Sequence, residues 1–189
     1  MRFELAGKAL QSEFLKAVEE HSGQNVSACY QCGKCTGGCP VQPDLDLSPS
    51  RVLRFVQLGL EDKALSNETI WCCAACGTCT SRCPVGIDLV CIMDALRALA
   101  ERKGISPPGK GDTVWTFFRS FLDGVRQFGR LSEVALMGSY NINSGRLYTN
   151  VIKAPWFILR SKLGIMPHKI KRLDRLDRVF KRIEEIEKK

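Results

Sequence analysis

The cysteines are the residues of this chain best suited to chemistry. Ten cysteines occur among 189 residues, and eight of them form two copies of the pattern C-x₂-C-x₂-C-x₃-C-P. The copies comprise Cys29, Cys32, Cys35 and Cys39, and then, at a constant offset, Cys73, Cys76, Cys79 and Cys83. A cubane cluster needs four thiolates, each bound to a different iron, and this spacing is typical of proteins with two such clusters. The sequence therefore predicts two [4Fe–4S] clusters.

The fourth cysteine of each motif lies just beyond the loop that the first three form. In two-cluster ferredoxins this cysteine binds the other cluster. By that rule the ligands of the first cluster are Cys29, Cys32, Cys35 and Cys83. Those of the second cluster are Cys73, Cys76, Cys79 and Cys39. An uncrossed assignment uses the same eight residues, so the sequence leaves both assignments open.

Glycine and proline residues recur at fixed places beside these cysteines. Gly33 and Gly77 each follow the second cysteine of a motif. The missing Cβ would let the backbone approach inorganic sulfide and donate N–H bonds, which raise the potential of a cluster. Pro40 and Pro84 fix φ and remove a backbone donor where the chain leaves each loop. We therefore expect all four residues to shape the cofactor-binding loops.

Other uses of the cysteines fit the sequence less well. The first ten residues lack a secretory signal, and the most apolar stretch, Ala154–Leu159, is too short to cross a bilayer. We expect a cytoplasmic protein without membrane insertion, in which clustered cysteines bind metal rather than form disulfides. Zinc sites usually pair two-cysteine knuckles across a longer loop, unlike this run. Cys72 and Cys91 lie outside the motifs and are expected to be small buried hydrophobes, with Cys72 also a candidate replacement ligand.

The net charge agrees with cofactors that carry negative charge. The formal charge is +8 with all cysteines counted as neutral. A cluster core of charge 2+ bound by four thiolates carries about −2, so two clusters would leave about +4. Part of the basic excess is then expected to balance the clusters. No aromatic–basic recognition motif accompanies the basic residues, so nucleic-acid binding is not predicted.

Hydrophobic periodicity predicts helices on both sides of each motif. Apolar residues recur at helical spacing in three segments with helix signals at their ends. These segments are 5–20, ended by Ser22–Gly23, then 48–58, and then 88–103. Ser48 and Asp88 are the expected N-caps, the first with proline after it. No alternation typical of strands is present, so the predicted fold class is all-α, with two cluster-binding loops between helices.

A change of composition suggests two domains. The loop 106–109, with the sequence Ser-Pro-Pro-Gly, is the best candidate boundary. We predict a cluster-binding domain at 1–104 and a helical C-terminal extension at 105–189. Within the extension, helices are expected to be interrupted at Gly124, Gly129, Gly138 and Gly145. The last segment, 170–189, is a basic amphipathic helix, for which packing on its own domain and docking to a partner are equally open.

Several short motifs give the chain a resemblance to a known family. Besides the paired cysteine motifs, they are Ser48-Pro49-Ser50-Arg51, Gln57-Leu58-Gly59-Leu60 and Thr69-Ile70-Trp71. With these residues the sequence resembles the C subunit of heterodisulfide reductase from methanogens, over about 3–104. The resemblance implies an α-helical ferredoxin arrangement. The iron–sulfur subunits of succinate dehydrogenase and anaerobic glycerol-3-phosphate dehydrogenase share that arrangement.

The resemblance also implies a role and partners. In this family, the C subunit carries two [4Fe–4S] clusters between the flavin-bearing A subunit, which is also an iron–sulfur protein, and the catalytic B subunit. The B subunit reduces the mixed disulfide of coenzyme M and coenzyme B in methanogenesis, and it uses Cys-Cys-Gly motifs. Here Cys72-Cys73-Ala74 departs from that motif, and no G-x-G-x-x-G loop is present. The implied role is an electron-relay subunit of an oxidoreductase without catalytic residues, and an upstream hydrogenase or formate dehydrogenase is a further candidate partner.

Three other functions stay open on the sequence. A relay subunit of a succinate or glycerol-3-phosphate dehydrogenase type would use the same cysteine motifs. A free ferredoxin is the second, but such proteins are short and acidic, whereas this chain is basic and long. Its extension also offers aromatic residues for docking, namely Trp115, Phe117, Phe118, Phe121, Trp156 and Phe157. A nucleic-acid-binding protein is the third, but Asp174 and Asp177 interrupt the basic C-terminal segment.

Overall fold

The structure is a computed structural model, and it describes residues 12–145 and 169–187. The chain divides into two compact units between Asp112 and Thr113. In the described residues every regular element is a helix, which confirms the predicted all-α class. The α-helices are α1 Glu13–Ser22, α2 Lys34–Gly37, α3 Pro49–Gln57, α4 Glu61–Leu65, α5 Thr69–Cys72, α6 Thr78–Ser81, α7 Leu89–Arg102, α8 Gly109–Phe128, α9 Glu133–Asn143 and α10 Leu173–Glu187. Two 3₁₀ turns, Val26–Ala28 and Gln42–Asp44, stand beside the first cysteine motif.

The N-terminal unit encloses an apolar core between its longer helices. Helices α1, α3, α4 and α7 each contribute side chains that solvent does not reach: Val18, Val52, Val56, Leu65, Ile92 and Leu96. In α3 the spacing of Val52 and Val56 places both on the face that meets the core. Burying each such side chain stabilises the fold by about 1.5–3 kcal/mol. The core therefore fixes the helices between which the two cysteine loops are held.

Helices α3 and α7 begin where the sequence predicts, by different chemistry. The Asp88 carboxylate accepts hydrogen bonds from the N–H groups of Val90 and Cys91, at 3.0 and 3.5 Å, as an N-cap does. Ser48 precedes α3, but its hydroxyl makes no capping bond and lies 3.4 Å from the Ser50 hydroxyl. The position of Ser48 was predicted correctly, and its capping bond was not.

The first helix agrees with the prediction only at its end. Helix α1 begins after Ser12, whose hydroxyl accepts a hydrogen bond from the Leu15 N–H at 3.1 Å. It ends at Gly23, whose φ of 65° is the left-handed conformation that stops a helix. Residues 5–11 of the predicted helix lie outside the described residues.

Two predicted interruptions in the C-terminal unit are wrong. Helix α8 continues through Gly124, and α9 continues through Gly138. A glycine inside a helix costs only about 1 kcal/mol relative to alanine, so an amphipathic helix can absorb it. Gly129 and Gly145, with φ of 78° and 67°, do stand beyond the ends of α8 and α9.

Helix α10 contacts α8 of the same unit. The Arg126 guanidinium of α8 donates to Asp177 at 3.2 Å and to Glu184 at 2.6 Å. It also lies 5.5 Å from the centre of the Phe180 ring. These contacts support packing on its own unit for one face of α10. Ile183 of α10 is exposed, and residues 188–189 lie outside the described residues.

Two further expectations concern membrane insertion and the domain boundary. None of the helices in 12–145 and 169–187 combines the length and apolar character that a membrane span requires. The apolar stretch Ala154–Leu159 lies outside the described residues. The division between Asp112 and Thr113 falls within α8, and the predicted boundary after residue 104 stays a prediction.

Candidate iron–sulfur site

Each cysteine motif folds as a loop followed by a single helical turn. Gly33 and Gly77 are the N-caps of α2 and α6, with φ of 76° and 73°. A Cβ at either position would meet no other atom within 4 Å, so backbone conformation rather than crowding within the chain requires glycine there. The first N–H groups of such a turn have no acceptor within the helix. They are thereby available to a bound group in the loop.

The residue before each central cysteine adopts the same unusual backbone conformation. Gln31 precedes Cys32 with φ of 62°, and Ala75 precedes Cys76 with φ of 50°. Of the described residues other than glycine, these two have positive φ. Such conformations cost of order 1–3 kcal/mol and persist where the surroundings impose them, commonly at functional sites. No pattern in the sequence indicated this, because neither glutamine nor alanine is typical of the left-handed region.

The eight motif cysteines line two neighbouring cavities. The walls of the first include Cys29, Cys32, Cys35 and Cys83, and its space of about 410 Å³ includes part of the open solvent. The walls of the second include Cys39, Cys73, Cys76 and Cys79, and its space of about 420 Å³ likewise includes part of the open solvent. Cys79 and Leu89 line both cavities, so the two cavities adjoin. The fold thus brings the fourth cysteine of each motif to the loop of the other motif.

The surroundings of both cavities suit a bound iron–sulfur group. Apart from cysteines, the first wall contains Leu53 and Ile87 from the core, and the second contains Pro49 and Met93. Such walls limit the access of water and lower the local dielectric constant, two of the factors that set a cluster's potential. A cubane binds each thiolate through a different iron, so its ligands need not converge on one ion. In the described part of the chain, no three metal-ligating side chains converge closely enough to bind a single ion.

The half-buried cysteines of the two sites must lose protons before they can bind iron. Burial raises the pKa of the Cys35, Cys73 and Cys79 thiols. At the exposed Cys76, the hydrogen bond with the Thr78 hydroxyl lowers the pKa instead. Because the ligand is the thiolate, binding of iron to these half-buried cysteines must release protons.

Gln57 holds the first loop from inside the core. Its amide nitrogen donates to the carbonyl of Val26 at 3.1 Å and to that of Cys29 at 2.7 Å. Its amide oxygen accepts from the Gln31 amide at 3.3 Å and from Arg54 at 3.3 Å. The side chain is only 7% exposed. This network fixes the start of the loop relative to α3, and sequence spacing alone did not reveal it.

Asp46 fixes the start of the second loop, as Gln57 fixes the start of the first. One carboxylate oxygen accepts from the N–H and the hydroxyl of Thr69, at 2.9 and 2.7 Å, and the other accepts from the Glu68 N–H at 3.0 Å. These bonds satisfy free N–H groups at the start of α5. Because Cys73 directly follows α5, Asp46 fixes the place where the second loop begins.

One threonine in each loop is tied to the helix that follows. The Thr36 hydroxyl donates to the Ser50 hydroxyl of α3 at 2.8 Å, and the Thr80 hydroxyl donates to Asp88 at 2.8 Å. Thr36 and Thr80 occupy equivalent positions in the two motifs. That repetition was visible in the sequence, although it did not indicate which residues the two hydroxyls would contact.

The two cysteines outside the motifs do not line either cavity. Cys72 ends α5 and Cys91 lies in the first turn of α7, and both are half-buried rather than fully buried as expected. Burial raises the pKa of both thiols. Their positions give neither of them a place among the ligands of the two cavities.

The helical architecture and the cysteine-lined cavities together are the features of a ferredoxin-like domain. A family model described as a 4Fe-4S dicluster domain matches residues 24–87, which include both motifs. The match agrees with the loops and helices that form the two cavities.

Curated relatives give a more particular likeness. The iron–sulfur C subunit of CoB–CoM heterodisulfide reductase from Methanopyrus kandleri is 42% identical over 94 residues, 49% of this chain and 49% of that protein. The second iron–sulfur C subunit of the same enzyme from Methanocaldococcus jannaschii is 43% identical over 81 residues, 43% of each chain. The C2 subunit of the H₂/formate:CoB–CoM heterodisulfide,ferredoxin reductase of Methanococcus maripaludis is 33% identical over 120 residues, 61% of this chain and 65% of that protein.

These relatives confirm the resemblance to the iron–sulfur C subunit of heterodisulfide reductase. The chain spans about half the length of the curated relatives it matches. For residues outside the matched regions, the description of this chain therefore depends on its own structure and not on its relatives.

Proposed function

We propose that this chain is the electron-relay subunit of a CoB–CoM heterodisulfide reductase complex in the cytoplasm. It receives electrons from the flavin-bearing A subunit of that complex and passes them to the catalytic B subunit, which reduces the heterodisulfide in methanogenesis. The chain itself has no catalytic residue in this scheme. The names of its relatives support the assignment to such a complex.

The observation on which the proposal depends is the pair of neighbouring cavities that the eight motif cysteines line. We assign Cys29, Cys32, Cys35 and Cys83 to one [4Fe–4S] cluster. We assign Cys73, Cys76, Cys79 and Cys39 to the other. This crossed assignment is supported because Cys83 lines the first cavity and Cys39 lines the second. Such a group, when bound, accepts and returns one electron at a time.

The residues of the chain contribute position and environment to the relay. Cys39 and Cys83 each complete the ligand set of the other motif, so neither site is complete without both motifs. Gly33 and Gly77 allow the turn that directs N–H groups into each loop, and Pro40 and Pro84 direct the chain out of it. Apolar side chains such as Leu89 exclude water from the space between the sites. The two sites are therefore adjacent, which suits transfer between them.

The C-terminal unit provides a surface for a stable partner. Phe118 and Leu122 of α8 are exposed at 53% and 50%, and Ile142 of α9 is exposed at 70%. Large apolar side chains exposed to this extent are typical of interaction sites when they lie together. Trp156 and Phe157, which the sequence also predicts for docking, lie outside the described residues.

Metal analysis and ligand variants test the site. The protein purified without oxygen is expected to contain about eight irons, and iron near zero or stoichiometric zinc would contradict the proposal. With crossed ligation, Cys29→Ala/Cys83→Ala removes two ligands from one cluster and leaves about four irons. The matched variant Cys29→Ala/Cys39→Ala removes one ligand from each cluster and is expected to lose more. If the two variants exchange these results, the ligation is uncrossed.

Native mass spectrometry tests the complex. Under native expression, the chain is expected to purify with a flavin-containing partner and with a second partner rich in Cys-Cys-Gly motifs. A monodisperse monomer would favour a free ferredoxin instead. A partner with succinate or glycerol-3-phosphate dehydrogenase activity would assign the relay to another oxidoreductase.

A further inference from the structure

The two cysteine sets are equivalent in sequence but not in the donors that face their sulfur atoms. In the first set, the Gln31 amide nitrogen lies 3.5 Å from Cys29 Sγ. In the second set, the residue equivalent to Gln31 is Ala75, which has the same left-handed backbone and no side-chain donor. This difference is the first of two that separate the sites.

The orientation of the Gln31 amide follows from its neighbours. The Gln57 amide nitrogen must face the carbonyls of Val26 and Cys29, because only that nitrogen can donate to them. The Gln57 oxygen is thereby turned toward Gln31, which must present its own nitrogen to it at 3.3 Å. That nitrogen has two protons, one for Gln57 and one for Cys29 Sγ.

The second difference concerns the cysteines that cross between loops. The Ile87 N–H donates to Cys83 Sγ at 3.4 Å. At the equivalent position after Cys39 stands Pro43, which has no N–H to donate. Thus the first set has a donor to each of two half-buried sulfur atoms, and both corresponding donors are missing in the second set.

Further hydrogen bonds occur at both sites: Thr36 bonds with Cys35, Thr80 bonds with Cys79, and the Ala75 N–H bonds with Cys73. The Thr78 hydroxyl lies 3.4 Å from Cys76 Sγ, but Cys76 is exposed, so water already solvates that sulfur. Lys34 lies on the wall of the first cavity, whereas Arg97 acts on Cys73 of the second. Cations therefore stand near both sites, whereas the Gln31 amide and the Ile87 N–H are donors without a counterpart at the equivalent positions of the other set.

Hydrogen bonds to ligand sulfur stabilise the reduced, more negative form of a cluster and raise its potential. We propose that Gln31 and the Ile87 N–H make the site of Cys29, Cys32, Cys35 and Cys83 the more positive of the two, so that electrons run from the other site toward it. Gln31 is a positioning residue in this scheme, oriented by Gln57. The inference rests on the proposed function and adds to it a direction of transfer within the chain.

The test is an anaerobic redox titration of the intact chain, followed by electron paramagnetic resonance. Gln31→Ala gives the first motif the residue that the second motif already has at the same backbone conformation. It is expected to lower the higher of the two midpoint potentials and to leave the lower one unchanged. The loss of one net hydrogen bond corresponds to about tenfold in the equilibrium constant for one-electron reduction, which is about 59 mV.

A reciprocal variant and a control complete the design. Ala75→Gln places an amide beside the second set and is expected to raise the lower midpoint potential, and Gln42→Ala, near Cys39, is expected to move neither. Either an unshifted higher midpoint or a shift confined to the lower midpoint in Gln31→Ala would overturn the inference. With about eight irons present, that result leaves the relay intact. Iron near zero in the unaltered protein would overturn both the proposed function and this inference.

Discussion

Gln57→Met tests whether a buried amide in α3 holds the first cluster loop. Methionine has nearly the same volume as glutamine but cannot donate to the carbonyls of Val26 and Cys29. A buried acceptor left without a donor costs about 1–3 kcal/mol. The Val26 carbonyl bond is buried and the Cys29 carbonyl bond is partly buried. We therefore expect a total cost of about 2–4 kcal/mol.

The cost is expected to fall on one cluster rather than on the whole chain. If the loop opens before iron leaves, about 2–4 kcal/mol corresponds to an increase of about 30- to 1000-fold in the open population. The assay is anaerobic release of iron to a chelator, followed over time. About four of about eight irons should leave fast in Gln57→Met, and the rest should leave at the original rate.

A matched variant separates this effect from a general loss of stability. Arg51 is an exposed residue of the same helix, and Arg51→Met is expected to release iron as the unaltered protein does. Release of all irons from Gln57→Met at the unaltered rate would refute the role of Gln57. Equal acceleration of both halves would refute its restriction to the first loop.

Three further changes have defined outcomes. Asp46→Ala removes the acceptor at the start of α5 and should accelerate release of only the second group of irons. Ile92→Ala opens a cavity in a core that solvent does not reach, and it should lower stability to denaturant by about 2–5 kcal/mol. Asp88→Ala removes the cap of α7 and should cost about 1 kcal/mol in the same assay. Glu20→Ala, at an exposed position, should stay within about 0.5 kcal/mol and serves as the control for both.

Local signals in the sequence predicted most of the helices that surround the site. The cap at Asp88, the stop at Gly23 and the end of α3 near Leu58 each depend on residues within a few positions, so a sequence pattern contains them. The predicted interruptions at Gly124 and Gly138 failed because an apolar helix face outweighs the small cost of one glycine. The predicted capping bond of Ser48 is also absent, because its hydroxyl contacts the Ser50 hydroxyl instead.

The residues that orient the loops were beyond prediction from the sequence. Gln57 and Asp46 act on backbone groups far away in the chain, and nothing in their own neighbourhood marks them as buried or as caps. The repeat of Thr36 and Thr80 was visible, but its partners were not. Long-range hydrogen bonds of this kind depend on which helices pack together, which periodicity does not specify.

The sequence by itself indicated iron–sulfur chemistry, because the number and spacing of eight cysteines are local properties of the chain. Few cofactors bind to cysteines in that arrangement. Only the tertiary structure brings Cys83 to the first loop and Cys39 to the second. Only the tertiary structure orients the amide of Gln31, a side-chain donor that Ala75 lacks. Those facts depend on distances between segments that are remote in the chain, and only the packing of α3 and α7 around both loops sets such distances.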